Sequence, residues 1–384
     1  MNSKKVLILS EKFGAGHERA AIALSKGIKN ISPNTRVRVI NFFQFLHPHV
    51  SKVTLKMYLN AINMKPEIWG YFYERERNKK RAGLAKKLLR VGMSFFLREI
   101  LERERPDVIA CTHPFPACVA SRLKQKGLET PLAVVITDFD VHGFWINDHT
   151  DAYITADESL LKPMLDFGIN PAIIHPTGIP IDPNFDREVI GSDAKRALGF
   201  REDLPLLLVT GGGLGLTVLD EYTVKQLASA PVQLAIICGK NPPLRQALRR
   251  VVAENNLDNV RVLGFVGNMW DYMGAADLLI TKAGGLTIAE AISKELPVVV
   301  YNPLPGQEER NAAFLLKKGV AKKAGNPKEL VGLVKELIRN KHLVHTMKGN
   351  AAGLKKTRSA EKAAEIVLSL ADHGNKTALI SFRY

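Results

Sequence analysis

The chain has 384 residues, of which 46% are hydrophobic, and its formal net charge is +16. This length and hydrophobic content are enough for two domains, each with its own core. The longest apolar runs have only the length of a strand, well short of the roughly 20 residues that cross a bilayer. The N-terminal residues lack the apolar core and the cleavage site of a signal peptide. We therefore expect a cytoplasmic protein without a transmembrane segment.

The positive charge predicts a polyanionic partner, such as nucleic acid, an anionic membrane surface or a phosphorylated substrate. Eight basic residues between Arg75 and Arg90 are opposed by one acid, Glu76. The overlapping residues 84–101 have the apolar spacing of an amphipathic helix. A basic run beside apolar residues is typical of contact with an anionic membrane surface, and a solvated helix packed on the core is the alternative. No nucleic-acid-binding module is recognisable, so nucleic acid is not an expected partner.

Short apolar strands alternate with helical stretches, as they do in βαβ units that build a parallel sheet. The pattern begins twice: a strand at 5–10 leads through a glycine turn to a helix at 18–29, and a strand at 206–210 leads through a second glycine turn to a helix that ends at 227. Prolines and a glycine interrupt regular structure at 176–183. The sequence therefore predicts an α/β protein with two Rossmann-like, doubly wound domains that face each other across a cleft.

The first glycine turn, Gly14-Ala15-Gly16, brings His17 to the start of a helix. Such a turn points backbone N–H groups and the positive helix end at an anion. It lacks the third glycine of a dinucleotide fingerprint, and Asn41 stands where a dehydrogenase needs a carboxylate. P-loop, nucleophile-elbow and HExxH motifs are absent. A neutral His17 can accept the proton of an attacking hydroxyl; a structural role or a phosphate contact is the alternative.

In the C-terminal half, glycines and polar residues follow several strands in succession. Because the carboxyl ends of parallel strands share the ligand-binding edge of a doubly wound sheet, we expect these residues to form one site. Glycine turns supply donors for a diphosphate, Glu290 can accept ribose hydroxyls, and Gln307 and Glu308 can bond a sugar. Taken singly, Glu290 or Gln307 would be interpreted as solvent-exposed. The segments concerned are 211–215, 238–241, 262–266, 281–290 and 303–311.

Six groups of motifs follow one another between about residue 5 and about residue 365. They are Gly14-Ala15-Gly16-His17 with Ala20, Thr112-His113-Pro114, Thr137-Asp138 with His142 and Trp145, Thr177-Gly178-Ile179-Pro180, Lys282-Ala283-Gly284-Gly285 with Thr287 and Glu290, and Pro305-Gly306-Gln307-Glu308 with Asn311. In this order and spacing they resemble the monogalactosyldiacylglycerol synthase and processive diacylglycerol glucosyltransferase family. The chain is similar, more distantly, to the peptidoglycan N-acetylglucosaminyl transferase. Gln307-Glu308 replaces the Gln-Gln pair of that enzyme, which disfavours an N-acetylated donor.

The resemblance implies a GT-B fold and an inverting transfer of glucose or galactose from a UDP-sugar to diacylglycerol or a glycosylated diacylglycerol. The enzyme would work at the inner face of the cell membrane. Together with the interruption at 176–183, the resemblance predicts an acceptor domain at 1–180, a UDP-sugar domain at 181–359, and at 360–384 a helix that returns to the first domain, followed by a tail.

The family also implies roles for individual residues, with His17 as the general base. The acceptor-side residues are Gly14, Gly16, His113, Asp138, His142 and Trp145. The donor-side residues are Gly211, Gly212, Gly213, Gly215, Lys240, Phe265, Val266, Lys282, Gly284, Gly285, Thr287, Glu290, Gln307, Glu308 and Asn311. Among these, Phe265 and Val266 would read the uracil through their backbone groups, and Glu290 would hold the ribose.

No metal and no other cofactor are expected, because backbone donors and helix dipoles can stabilise the departing UDP. Asp138-Phe139-Asp140 spells the DxD of metal-dependent transferases, but it lies in the acceptor half. The three cysteines lack CxxC spacing and predict buried thiols. A UDP-N-acetylglucosamine-using transferase or an epimerase of the same fold is the alternative, and the choice of hexose and the number of sugars added stay open.

Overall fold

The structure is a computed structural model that describes residues 3–11, 15–42, 84–215 and 219–374. The chain divides into two units, Met1–Pro183 together with Arg358–Tyr384, and Asn184–Thr357. Each unit contains a six-stranded sheet, and every pair of neighbouring strands is parallel. This architecture confirms the α/β prediction of two doubly wound domains.

Most of the strands are short apolar segments that are buried along nearly their whole length. Continuous apolar strands of this kind belong to parallel sheets that are covered on both faces. Those of the first unit are β1 (Lys5–Ser10), β2 (Arg36–Asn41), β3 (Val108–Cys111), β4 (Leu132–Val135), β5 (Ala152–Ile154) and β6 (Ile174–His175). Those of the second unit are β7 (Leu206–Thr210), β8 (Gln233–Ile237), β9 (Val260–Leu263), β10 (Leu278–Thr281), β11 (Val298–Tyr301) and β12 (Ala321–Ala324).

The helices connect these strands and cover the sheets. In the first unit they are α1 (Ala15–Ile31), α2 (Leu84–Glu104), α3 (Pro114–Gln125) and α4 (Leu161–Asp166). In the second they are α5 (Gly191–Ala197), α6 (Glu221–Ala228), α7 (Pro242–Glu254), α8 (Met269–Ala275), α9 (Gly285–Ser293), α10 (Gln307–Lys317), α11 (Pro327–Arg339) and α12 (Lys341–Ala352). The last helix, α13 (Ser359–Gly374), belongs to the first unit.

The first sheet is covered on both faces because successive side chains of a strand point to opposite sides. Val6 and Ile8 of β1 pack in one core with residues of α1 and α13. Leu7 and Leu9 pack in the other core with residues of α2 and α3. Alternate residues of one strand therefore tie helices from both ends of the chain into the same unit.

Helix α13 packs directly against α1, and Gly27 is the point of close approach. A Cβ at Gly27 would overlap the backbone carbonyl of Ala360. Asn30 of α1 donates a hydrogen bond from Nδ2 to Glu361 Oε1 at 2.8 Å. Glycine is required at position 27 because the two helix backbones meet there.

The strand orders indicate where a ligand-binding crevice is expected in each unit. The orders are β2-β1-β3-β4-β5-β6 and β12-β11-β10-β7-β8-β9. Chain order reverses between β1 and β3 in the first sheet and between β7 and β10 in the second. A crevice forms outside the carboxyl ends of the strands at such a reversal. Thus His17 and both glycine turns of the second unit lie where doubly wound sheets hold their ligands.

Two details differ from the sequence predictions. The helix after the second glycine turn begins only at Glu221, because Asp220 caps it: Asp220 Oδ1 accepts a hydrogen bond from Thr223 N at 2.7 Å. The segment 262–266, which the sequence suggests as a strand end, is strand only as far as Leu263, where β9 ends.

The cysteine prediction is confirmed, since Cys111, Cys118 and Cys238 are all buried free thiols. Within the described part of the chain, no helix is long and apolar enough to cross a membrane. Most of the basic run from Arg75 to Arg90 lies outside the described residues, as does Gly14.

Candidate active site

His17 lies in the first turn of α1, at the point where the strand order of the first sheet reverses. Its Nδ1 lies 2.9 Å from the carbonyl oxygen of Thr112 and 2.9 Å from the hydroxyl oxygen of Thr137. The Thr112 hydroxyl in turn donates to the His17 carbonyl at 3.0 Å. Thr112 follows β3 and Thr137 follows β4, so two neighbouring strand ends hold the imidazole.

These contacts determine the tautomer of His17. A carbonyl oxygen only accepts hydrogen bonds, so Nδ1 must carry the proton and Nε2 must carry the lone pair. Burial lowers the pKa of His17 to about 4, although the Thr112 carbonyl acts in the opposite direction. The residue as a whole is half-buried. At neutral pH it is therefore an uncharged imidazole whose Nε2 can accept a proton.

Four predicted acceptor-side residues are buried in the first unit: His113, Asp138, His142 and Trp145. The His113 ring lies 4.5 Å from the His17 ring, and the Trp145 ring 6.1 Å from it, measured between centroids. Trp145 has no exposed surface. The rings of His113 and Trp145 pack against the His17 ring. Direct contact of these residues with an acceptor stays a prediction.

His113 has a second structural role. Its Nδ1 accepts a hydrogen bond from Phe115 N at 3.2 Å and so caps α3. Burial, together with the nearby imidazoles of His17 and His142, lowers the pKa of His113 well below its usual range. His113 therefore faces His17 as a neutral ring. Of the predicted acceptor-side glycines, Gly16 lies half-buried in the first turn of α1, and Gly14 is not described.

The second glycine turn, at 211–215, follows β7. Gly212 and Gly215 have φ angles of 76° and 63°, in the left-handed region that favours glycine. Gly215 N donates to Gly212 O at 2.9 Å, and Lys240 N donates to Gly213 O at 3.0 Å. A Cβ at Gly215 would overlap the carbonyl oxygen of Cys238. The turns that follow β7 and β8 are thus locked together through their backbones.

A third turn, Lys282-Ala283-Gly284, joins β10 to α9. Ala283 is buried with φ 73°, a conformation that costs a non-glycine residue about 1–3 kcal/mol and is concentrated at ligand sites. Gly284 is the N-cap of α9, and an added Cβ there would meet open space. Because Thr281 of β10 pairs with Thr210 of β7, this turn lies beside the 211–215 turn. Two turns with backbone donors and a helix N-terminus make a candidate anion site, called the anion site below.

Lys282 extends this site toward α10. Its Nζ lies 3.5 Å from Glu308 Oε1, and Glu308 Oε2 accepts a hydrogen bond from Leu304 N at 2.7 Å. Burial raises the pKa of Glu308, while Lys282 acts to lower it. A nearly buried cation and a carboxylate therefore stand together beside the anion site.

The other predicted donor-side residues lie on α9, on α10 and at the end of the sheet. Glu290 and Asn311 are buried, so the solvent-exposed interpretation of Glu290 is wrong. Gly285 and Thr287 lie on α9, and Gln307 is half-buried at the first position of α10. Lys240 Nζ lies 5.4 Å from the centre of the Phe265 ring, which is 53% exposed, and the next residue, Val266, is half-buried.

Sequence reasoning assigned no site role to Thr137, Ala283, Phe115 or Phe144. Ala283 follows β10, which flanks the strand-order reversal of the second sheet, and Thr137 follows β4, the neighbour of β3. Their positions at these strand ends were the available signal. The sequence does not reveal the left-handed backbone of Ala283, because alanine rarely adopts that conformation. The two phenylalanines contact the histidines of the site, and only the three-dimensional structure reveals this.

The two sheets and their edge sites define the GT-B class of glycosyltransferase folds, and solved structures agree. MurG of Acinetobacter baumannii is similar with a TM-score of 0.62 and 17% identity, over 95% of this chain and 99% of that one. HepE of Anabaena, solved in complex with UDP, is similar with a TM-score of 0.56 and 14% identity, over 97% of this chain and 100% of that one. This likeness confirms the predicted fold.

Sequence comparison then gives the family. The monogalactosyldiacylglycerol synthase model matches residues 17–181, and the glycosyltransferase family 28 C-terminal domain model matches residues 206–366. The processive diacylglycerol beta-glucosyltransferase of Bacillus subtilis is 30% identical over 373 residues, 95% of each chain. The chain belongs to the monogalactosyldiacylglycerol synthase and processive diacylglycerol glucosyltransferase family, which confirms the resemblance found in its motifs.

Proposed function

We propose that the protein transfers a hexose from a UDP-sugar to the hydroxyl of diacylglycerol or of a glycosylated diacylglycerol, with inversion at the anomeric carbon. The observation that carries this proposal is the neutral His17, whose Nδ1 proton is held by Thr112 so that Nε2 can act as the base. The anion site of the second unit supports a UDP donor, and the name of the Bacillus subtilis relative favours glucose.

In the proposed reaction, Nε2 of His17 takes the proton of the acceptor hydroxyl while the acceptor oxygen attacks the anomeric carbon. The bond from that carbon to the UDP oxygen breaks, and UDP leaves with the electron pair. Attack opposite the leaving group in one step inverts the configuration. The Thr112 carbonyl stabilises the imidazolium through Nδ1–H. Backbone donors of the 211–215 and 282–285 turns, with the N-terminus of α9, stabilise the diphosphate without a metal.

Side chains of the second unit would determine the donor. Glu290 is the proposed ribose ligand, because its buried carboxylate lies on the helix that begins at the anion site. Gln307, Glu308 and Asn311, on the first turns of α10, are the proposed hexose ligands. The backbone of Phe265 and Val266 is proposed to read the uracil.

The acceptor lies in a membrane, and α2 offers a surface for reaching it. Phe95 is 72% exposed and Phe96 is 36% exposed, and their rings form an edge-to-face pair with 5.8 Å between centroids. Exposed aromatic rings beside basic residues favour peripheral binding to an anionic bilayer. We propose that α2 contacts the cytoplasmic face of the membrane.

Replacing both rings in the double variant F95S/F96S should weaken binding to vesicles that contain phosphatidylglycerol by about tenfold, because two apolar insertions are lost. Co-sedimentation with such vesicles measures the effect. The matched control is L165S/I190S, which removes two apolar side chains that are 47% and 68% exposed elsewhere. Equal binding of both double variants would contradict the assignment to α2.

The pH profile offers a test of His17. Below its pKa the ring is protonated and cannot accept a proton, so kcat/KM for transfer should be level between pH 6 and 8 and fall at acid pH with a midpoint near 4. The unfolded chain protonates His17 near the ordinary pKa of histidine, and the folded chain only near pH 4. The free energy of unfolding therefore also decreases as the pH falls through this window. Near-UV circular dichroism separates acid unfolding from loss of the base. A midpoint near 6.5 would contradict the buried, neutral ring.

The function itself is tested with vesicles containing diacylglycerol and, in separate reactions, radiolabelled UDP-glucose, UDP-galactose and UDP-N-acetylglucosamine. We expect a labelled glycolipid from a UDP-hexose, inverted stereochemistry at the new bond, and the same rate with and without a chelator. Loss of activity on chelation that Mg²⁺ or Mn²⁺ restores would overturn the metal-free reaction. Release of UDP without any lipid would favour the epimerase alternative.

A further inference from the structure

Six rings form a closed circuit at the carboxyl edge of the first sheet. Consecutive members of the circuit lie 4.5 to 6.3 Å apart between ring centroids. They come from α1, from the start of α3 and from the loop that follows β4. In order around the circuit they are His17, His113, Phe115, Phe144, His142 and Trp145.

The members of the circuit differ in exposure. His113, His142 and Trp145 are buried. His17, Phe115 and Phe144 keep exposed surface. Besides His17, the two phenylalanines are therefore the members of the circuit that an incoming molecule can contact. None of the six is an acid, a lysine or an arginine.

We propose that Phe115 and Phe144 form an acceptor subsite that binds the pyranose ring of a lipid that already carries a sugar. This inference rests on the proposed function, and it assigns the transfer of a second hexose, onto the sugar of a glycosylated lipid, to particular side chains. Aromatic faces bind flat apolar surfaces, and the C–H face of a pyranose is such a surface. The glycerol of an unglycosylated diacylglycerol has only a flexible three-carbon unit and no ring face.

The geometry suits this substrate. The Phe115 ring lies 4.8 Å from the His113 ring, which lies 4.5 Å from the His17 ring. The Phe115 ring is therefore no farther from the His17 ring than these two distances added together. A pyranose stacked on Phe115 can span that distance with one of its hydroxyls directed at His17. That hydroxyl loses its proton to Nε2, its oxygen bonds the anomeric carbon of the donor, and UDP leaves with the electron pair of the broken bond.

The test compares two acceptors, diacylglycerol and monohexosyl-diacylglycerol, in the same vesicles with the same UDP-hexose. The variants are F115L and F144L, singly and together, because leucine keeps apolar volume and removes the flat face. For the double variant we expect kcat/KM for the glycosylated acceptor to fall about tenfold relative to that for diacylglycerol. F144Y should retain most of the second transfer. F314L, which removes a partly buried ring from the second unit, is the matched control and should leave the ratio unchanged.

Three results would overturn the inference. Equal losses for both acceptors would show that the rings serve only the structure of the site. Transfer to diacylglycerol without any transfer to the glycosylated lipid by the unmodified protein would overturn the inference and leave the proposed function intact. Absence of transfer to either lipid would overturn the proposed function and, with it, this subsite.

Discussion

Replacing His17 by alanine should lower kcat for hexose transfer by about 10²- to 10⁴-fold, the range that one general base contributes. The reason is local: Nδ1 is fixed by Thr112 and Thr137, and Nε2 has no hydrogen-bond partner among the described residues. The proposed diphosphate ligands lie in the second unit, so UDP affinity measured by calorimetry should stay within about twofold of the unmodified value.

Two controls make this result specific. H17A removes two contacts of Nδ1 but leaves the strands and helices around it intact, so its thermal unfolding midpoint should fall by no more than about 5 °C. T137V removes the hydroxyl beside Nδ1 and leaves the Thr112 carbonyl in place, so it should reduce kcat much less than H17A. Near-normal turnover by H17A, with UDP binding unchanged, would refute the role of His17 as base.

Replacing Gly215 by alanine should abolish UDP binding and lower the free energy of unfolding by more than about 3 kcal/mol, because an unfavourable φ and a backbone overlap act together. The new Cβ would meet the Cys238 carbonyl, which belongs to the turn after β8. The 211–215 and 238–241 turns would have to separate, and the backbone donors between them would lose their orientation.

The matched control is G168A in the first unit. Gly168 has φ 85°, but an added Cβ there has no neighbour within 4 Å. G168A therefore introduces backbone strain without a steric overlap, and it should lower the free energy of unfolding by only about 1 kcal/mol. UDP binding should be unchanged. Calorimetry for UDP and urea unfolding measure both effects. If G215A bound UDP like the unmodified protein, the locked turns would not form the diphosphate site.

Much of the fold was predictable because its signals are local. Apolar strands such as Leu206–Thr210 and glycine turns such as 211–215 reveal parallel βαβ units without knowledge of the partner strands. The burial of Glu290 was not predictable, because a carboxylate on a helix is usually exposed and only the tertiary structure encloses it.

The candidate site was predictable in position more than in geometry. Strand-end rules place His17 and the Lys282 turn at a ligand edge. They do not reveal the tautomer of His17, which depends on a backbone carbonyl 95 positions away. Nor do they reveal that Phe144 contacts Phe115, since Phe115 lies at the start of α3 and Phe144 in the loop that follows β4.

The position of α13 has a consequence for biosynthesis. The first-unit core includes Ala363, Ala364 and Val367 of this helix, packed with Val6 and Ile8 of the first strand. A ribosome synthesises those residues only after it has made all of Asn184–Thr357. The second unit can therefore complete its core while the first still lacks α13, which covers part of one face of its sheet. Folding during synthesis would then finish the later unit before the earlier one, and a nascent chain stalled near residue 357 would expose the apolar side of α1 to chaperones.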